Sequence, residues 1–177
     1  MLRLVNIFKY PRLSNFFVPF KTYIKSSIIV RNNAQVHLSC RLTIGNPDSK
    51  TARVSVAPVN IYFGYCSKVN LGKSISIGPG VNIIVKDGAQ LTVGDRSYFT
   101  SDMHLEAVKN ITIGSDCAIS WGVTIIDSNH HKVLPEINYK DEGKVKICNH
   151  VWICCNVKIL KNLMKFILDI IYQSMFN

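Results

Sequence analysis

Residues 111–126 read ITIGSDCAISWGVTII, and their spacing decides the fold. Ile113, Ile119 and Ile125 stand six residues apart, with Ile111 two places before the first and Gly114 directly after it. A period of six fits neither the 3.6-residue turn of an α-helix nor the alternation of a simple amphipathic strand. It fits short strands joined by tight turns, three per coil, each sending one aliphatic side chain into a central column.

The spacing recurs on both sides of this stretch. Ile77, Ile83 and Ala89 form one triplet, Val93, Phe99 and Leu105 a second, and Ile147, Ile153 and Ile159 a fourth. Each is preceded by an aliphatic (Ile75, Leu91, Val145) and followed at its first member by Gly78, Gly94 or, in the last, Cys148. Four triplets with matching flanks argue against coincidence in an ordinary β-rich domain. Stacked coils bury a continuous core and bond to their neighbours through backbone ladders. The glycines are expected at corners whose backbone conformation a Cβ disfavours. The fold class is therefore an all-β solenoid.

Outside the repeat the pattern weakens. AQVHLSCRLTIG (34–45) and VSVAPVNIYFGYCSKVNLG (54–72) alternate enough for strands in irregular early coils. Residues 1–30 read as a helical or irregular cap broken near Pro11, and residues 31–160 as the repeat domain. Beyond it, Leu163, Met164, Ile167 and Ile171 share one face of a helix over 161–177 that covers the last coil.

Composition bounds the partners. The chain has 177 residues, 47% of them hydrophobic, enough for one domain with a sizeable core. No apolar run approaches the ~20 residues of a membrane-spanning helix, and the N-terminus lacks the layout of a secretory signal. Six cysteines without framework-like spacing favour reduced thiols and a cytoplasmic location. The net charge of +10 favours anionic partners and admits peripheral contact with an anionic membrane surface, such as a bacterial inner membrane. No basic-aromatic motif for nucleic acid is present.

The repeat is interrupted once. A regular coil would place the next triplet about 18 residues after Ile113, yet it begins at Ile147. The added stretch, HHKVLPEINYKDEGK (130–144), carries a proline and charges, as an exposed loop over 128–144 should. His130 stands at its root, with His131 beside it.

With LTVG (91–94), ITIGSDCAISWGVTIIDSNHH (111–131) and VKICNHVWICCNVKIL (145–160) in view, the chain resembles the hexapeptide-repeat acyltransferases, the left-handed parallel β-helix family. The resemblance covers about residues 75 to 160 and lies nearest the sugar O-acetyltransferases, including those that decorate capsular, exo- and lipopolysaccharides. It implies a left-handed coil, acetyl-CoA as co-substrate, a saccharide or glycan acceptor and a homotrimer with sites between subunits. His130 matches the family's catalytic position.

Acetyl transfer from a thioester to a hydroxyl needs a base, and an imidazole, with an ordinary pKa near ~6.5, can take and return a proton around neutrality. If both substrates share one groove, positioning carries much of the catalysis and no covalent enzyme intermediate is needed. Loop histidines are more often solvated surface residues. Position and motif together make His130 the candidate general base, with His131 only its neighbour.

In SDMHLEA (101–107), Met103 and Leu105 are expected to point inward and Asp102, His104 and Glu106 outward. The resemblance places Asp102, where relatives commonly carry asparagine, and Glu106 against the acceptor. His104 reads as a solvated strand residue. Trp152 and Cys155 match positions beside the acyl-donor groove. Cys148, Cys154 and Asn162 replace common glycines, and nothing after Leu160 resembles the further coil that supplies donor contacts in relatives. A shortened, inactive β-helix is therefore a second reading. A third is a zinc carbonic anhydrase of the same fold, which needs three histidines. His104, His130 and His131 lack that spacing, so no metal is expected.

Overall fold

The computed structural model describes residues 13–14, 20–24, 26–40, 42–46, 55–128, 130 and 143–161. Among these residues the chain is all-β, with strands in six tiers of three. The first tier comprises β1 (Leu13–Ser14), β2 (Phe20–Thr22) and β3 (Ser26–Val30), and the second β4 (Gln35–Leu38), β5 (Leu42–Ile44) and β6 (Val59–Phe63). The third holds β7 (Lys68–Leu71), β8 (Ile75–Ile77) and β9 (Asn82–Val85), and the fourth β10 (Gln90–Val93), β11 (Tyr98–Phe99) and β12 (His104–Ala107). The fifth is β13 (Asn110–Ile113), β14 (Ala118–Ile119) and β15 (Thr124–Ile126), and the sixth β16 (Lys144–Ile147), β17 (Trp152–Ile153) and β18 (Lys158–Ile159).

Each tier gives one strand to each of three six-stranded sheets, and all pairings are parallel between successive tiers. The arrangement is consistent with a β-helix solenoid. The first strands of the tiers form the first sheet, the second strands the second sheet, and the third strands the third. Among the described residues no helix is long and apolar enough to cross a membrane.

Register explains the six-residue period. Leu71, Val93, Ile113 and Ile147 face one another along the first sheet. Ile77, Phe99, Ile119 and Ile153 do so along the second, and Ile83, Leu105, Ile125 and Ile159 along the third. All twelve are buried in one continuous core. The earliest triplet therefore begins at Leu71, not Ile77. Ala89 is buried, but in the turn before β10, which extends the spacing one step past its strand.

The corner glycines have a different cause from the one expected. Gly72, Gly94 and Gly114 follow the first member of each triplet, and their φ angles are not positive. A Cβ at these positions would run into Asp95, Ser115 and Asn149 of the next tier. Those same residues serve the tier below. Asp95 Oδ1 accepts from Lys73 N at 2.7 Å, Ser115 Oγ from Asp95 N at 3.1 Å, and Asn149 Oδ1 from Ser115 N at 2.8 Å. The left-handed conformation falls two residues further on, at Ser74, Arg96, Asp116 and His150, with φ between 56° and 59°. Cys148 takes the glycine position in the sixth tier, the last among the described residues.

The predicted cap over 1–30 needs correction where it is described. β1, β2 and β3 pair with β4, β5 and β6, so the tiers start before residue 31. SSIIV (26–30) ends in three β-branched residues and buries Ile28, which faces Ile61 across the pair. The predicted helix after Lys161 and most of the loop over 128–144 lie outside the described residues. All six cysteines carry free thiols, and burial pushes that of Cys117 up.

Candidate active site

Parallel register carries the site. On the outward face of the third sheet, His104 of β12 stands between Asn82 of β9 and Thr124 of β15, and Glu106 stands between Ile84 and Ile126. Met103 and Leu105 point into the core, as the alternation requires. Glu106 also faces outward, but it is buried. Its carboxylate is covered by three side chains from different parts of the chain.

Lys86, in the turn after β9, puts Nζ 3.0 Å from Oε1 of Glu106. On the other oxygen, His104 Nε2 lies 3.5 Å from Oε2 and His130 Nε2 lies 3.3 Å from it. The Glu106 side chain is only 10% exposed, whereas that of His130 is 47% exposed, so the imidazole bridges the carboxylate and solvent. Burial alone pushes the Glu106 carboxyl up. The Lys86 hydrogen bond and charge, the His130 charge and the His104 hydrogen bond outweigh it and hold the group below its ordinary value of 4.5. Glu106 is thus ionised at neutral pH. It serves the histidines and Lys86 rather than standing open to an acceptor, as the resemblance had implied.

His130 is held from its own side of the loop. Its backbone N–H donates to Ser128 Oγ at 3.0 Å, with φ of 59°. That conformation is not special to the site, since eight other described non-glycine residues share it. Asp127, fully buried, fixes the loop root. Its carboxylate accepts from Val108 N at 2.6 Å, Lys109 N at 2.9 Å and Asn110 N at 2.6 Å, the turn between β12 and β13. Its carbonyl oxygen accepts from Gly143 N at 2.7 Å, which closes the base of the loop. One residue thereby joins the loop to the tier that carries Glu106.

The remaining predicted residues lie elsewhere. Asp102, with φ of 51°, sits at the turn that enters β12 and accepts from Ser55 Oγ at 2.9 Å. Trp152 is exposed on β17, its indole Nε1 donating to Ser120 Oγ at 3.2 Å. Cys155 is exposed in the turn between β17 and β18. That turn enters the third sheet, whereas His130 follows the strand that leaves it, so the two groups occupy opposite edges. His131 lies outside the described residues. Among the described residues no group of three or more His, Cys, Asp or Glu is placed to hold a metal ion.

Sequence reading missed Lys86, Asn82 and Asp127, and it took His104 for a solvated residue. The signal for Asn82 and His104 was their separation by one tier, which becomes visible only once register is assigned. No protein-family model, no curated protein and no solved structure matches the chain. The site is therefore read from its own chemistry.

Proposed function

We propose that this chain is a sugar O-acetyltransferase in which His130 is the general base, built on a left-handed parallel β-helix. The observation that carries the reading is the approach of His130 Nε2 to Glu106 Oε2 at 3.3 Å. An imidazole nitrogen facing an ionised carboxylate carries the proton, because a bare lone pair there would be repelled. The neutral ring then leaves Nδ1 unprotonated, and the half-exposed ring can present it to a hydroxyl. Nδ1 takes the acceptor's proton as its oxygen attacks the acetyl carbon; the acetyl C–S bond then breaks, and the departing coenzyme A thiolate takes that proton from the ring. The positive charge that develops on the ring is stabilised by Glu106, which Lys86 in turn keeps ionised.

Acetyl-CoA, when bound, supplies the acetyl thioester. The exposed Trp152 indole, oriented by Ser120, and the exposed Cys155 offer an apolar face and a small thiol suited to the pantetheine arm. In one chain Trp152 lies on the second sheet and Cys155 in the turn that enters the third, whereas His130 follows the strand β15 of the third. A homotrimer that sets the Trp152 edge of one copy against the His130 edge of the next would join them. The acceptor is a saccharide hydroxyl, with Asp102 at the turn before β12 as a polar contact, in surface-polysaccharide assembly at the cytoplasmic side of a bacterial membrane. Calorimetric titration with acetyl-CoA tests the reading. Saturable heat that weakens in Trp152→Ala is expected, and no saturation in the wild-type protein would overturn it.

A further inference from the structure

His104 has no part in the mechanism above, yet it is the best-defined histidine of the cluster. Its Nδ1 lies 3.1 Å from Asn82 Nδ2 and its Nε2 lies 3.5 Å from Glu106 Oε2. The two contacts require the same tautomer. An amide NH2 can only donate, so Nδ1 accepts, and the proton must then sit on Nε2, the nitrogen that faces the carboxylate. His104 is thus a fixed neutral donor aimed at Oε2, the same oxygen that His130 approaches.

We propose that His104, locked in its Nε2–H tautomer by Asn82, is a positioning residue that sets how strongly Glu106 holds a proton on His130. The inference rests on the proposed role of His130. An N–H of His104 facing Oε2 at 3.5 Å puts partial positive charge on the side of the oxygen that His130 also approaches, and so offsets part of the carboxylate's pull on His130. Removing His104 leaves Oε2 to His130 alone and strengthens the attraction between Glu106 and a protonated His130. The change makes His130 easier to protonate.

The charged and titratable groups around His104 are few. Its own segment carries Asp102 and Glu106, β9 and its following turn contribute Asn82 and Lys86, and the loop contributes His130. On the other side β15 presents Thr124 and Ile126, neither of which titrates near neutrality. Lys158 of β18 faces Thr124 from one strand further along the sheet. Asn82 is therefore the lever for changing the sign of the effect. A carboxylate in its place would draw a proton onto Nδ1 and make His104 a cation, which opposes protonation of His130.

The test is a nitrogen-detected NMR titration of the imidazoles in the full chain. The wild type is expected to show His104 with a protonated Nε2 and an accepting Nδ1. The His130 midpoint is expected to rise by about half a pH unit or more in His104→Phe and to fall in Asn82→Asp. His104→Gln restores an amide donor toward Glu106 and should return the midpoint toward the wild-type value. A purely structural role would not give shifts of opposite sign. A His130 midpoint unchanged in the two variants that depart from it, or His104 in the Nδ1–H form, would overturn the inference. Because this readout needs no turnover, failure of the acetyltransferase reading would be seen separately, as absent transfer with the tautomer and shifts intact. Should His104→Phe fail to fold, Asn82→Asp and the wild-type tautomer decide alone.

Discussion

Glu106 concentrates the chemistry of the site, because one carboxylate with 10% exposure meets Lys86, His104 and His130 together. Its pH behaviour follows from the direction of its shift. The folded group holds its proton less tightly than the unfolded one, so it stabilises the fold above the ordinary carboxylate value, and the contribution is lost as pH falls through the folded value. Comparing wild type with Glu106→Gln by urea denaturation, the stability gap should persist from neutrality through the imidazole range and close below about pH 4. A gap that stayed constant down to pH 3 would show that Glu106 gains nothing from its partners. His130→Ala removes the proposed base. It should lower acetyl transfer by ~10²–10⁴-fold while leaving the circular dichroism spectrum unchanged, since the ring is half exposed and carries no core packing.

Side chains of one tier hold the turns of its neighbour, as at Asp127 and Asn149. Asp127 satisfies three backbone N–H groups of the turn from Val108 to Asn110, and Asp127→Ala would leave them without an acceptor. A loss of about 3 kcal/mol or more is expected by urea denaturation, with faster hydrogen exchange at Val108, Lys109 and Asn110. Unchanged exchange there would show that the clasp is dispensable. Gly114→Ala should cost about 1–3 kcal/mol, because its Cβ would meet Asn149 and force the sixth tier away. Much of this scale was legible in sequence. The aliphatic period located the core of four tiers, and the break before Ile147 marked the long interval between β15 and β16. The start of the first triplet was misread because Ala89 extends the spacing into a turn. The first tier was missed because residues 13–30 contain no glycine and lack the evenly spaced aliphatics of the later tiers, whereas the strands of the second were legible only as irregular early coils. The role of Glu106 was not legible, since Lys86 and His130 reach it from 20 residues before and 24 after in the chain, and only the parallel register of β9, β12 and β15 brings them together.

At the scale of the whole molecule, parallel stacking gives every tier the same three faces, and function depends on which edges are brought together. Trp152 lies on the second sheet and Cys155 in the turn that enters the third, whereas His130 follows a strand of the third, so the proposed enzyme needs two copies to complete one site. Chains carrying His130→Ala mixed with chains carrying Trp152→Ala should regain transfer on reassembly, because some interfaces then combine two intact edges. No recovery in a mixture shown to exchange subunits would place donor and base within one chain. The most direct measurement is transfer itself. Purified protein, acetyl-CoA and a broad panel of saccharides are incubated, and the glycans are weighed by mass spectrometry. The account predicts an acceptor gaining one acetyl group with the wild-type protein, at a rate at least ~100-fold lower with His130→Ala. Transfer by His130→Ala at the wild-type rate, or no transfer by a wild-type protein that also fails to saturate with acetyl-CoA, would contradict it.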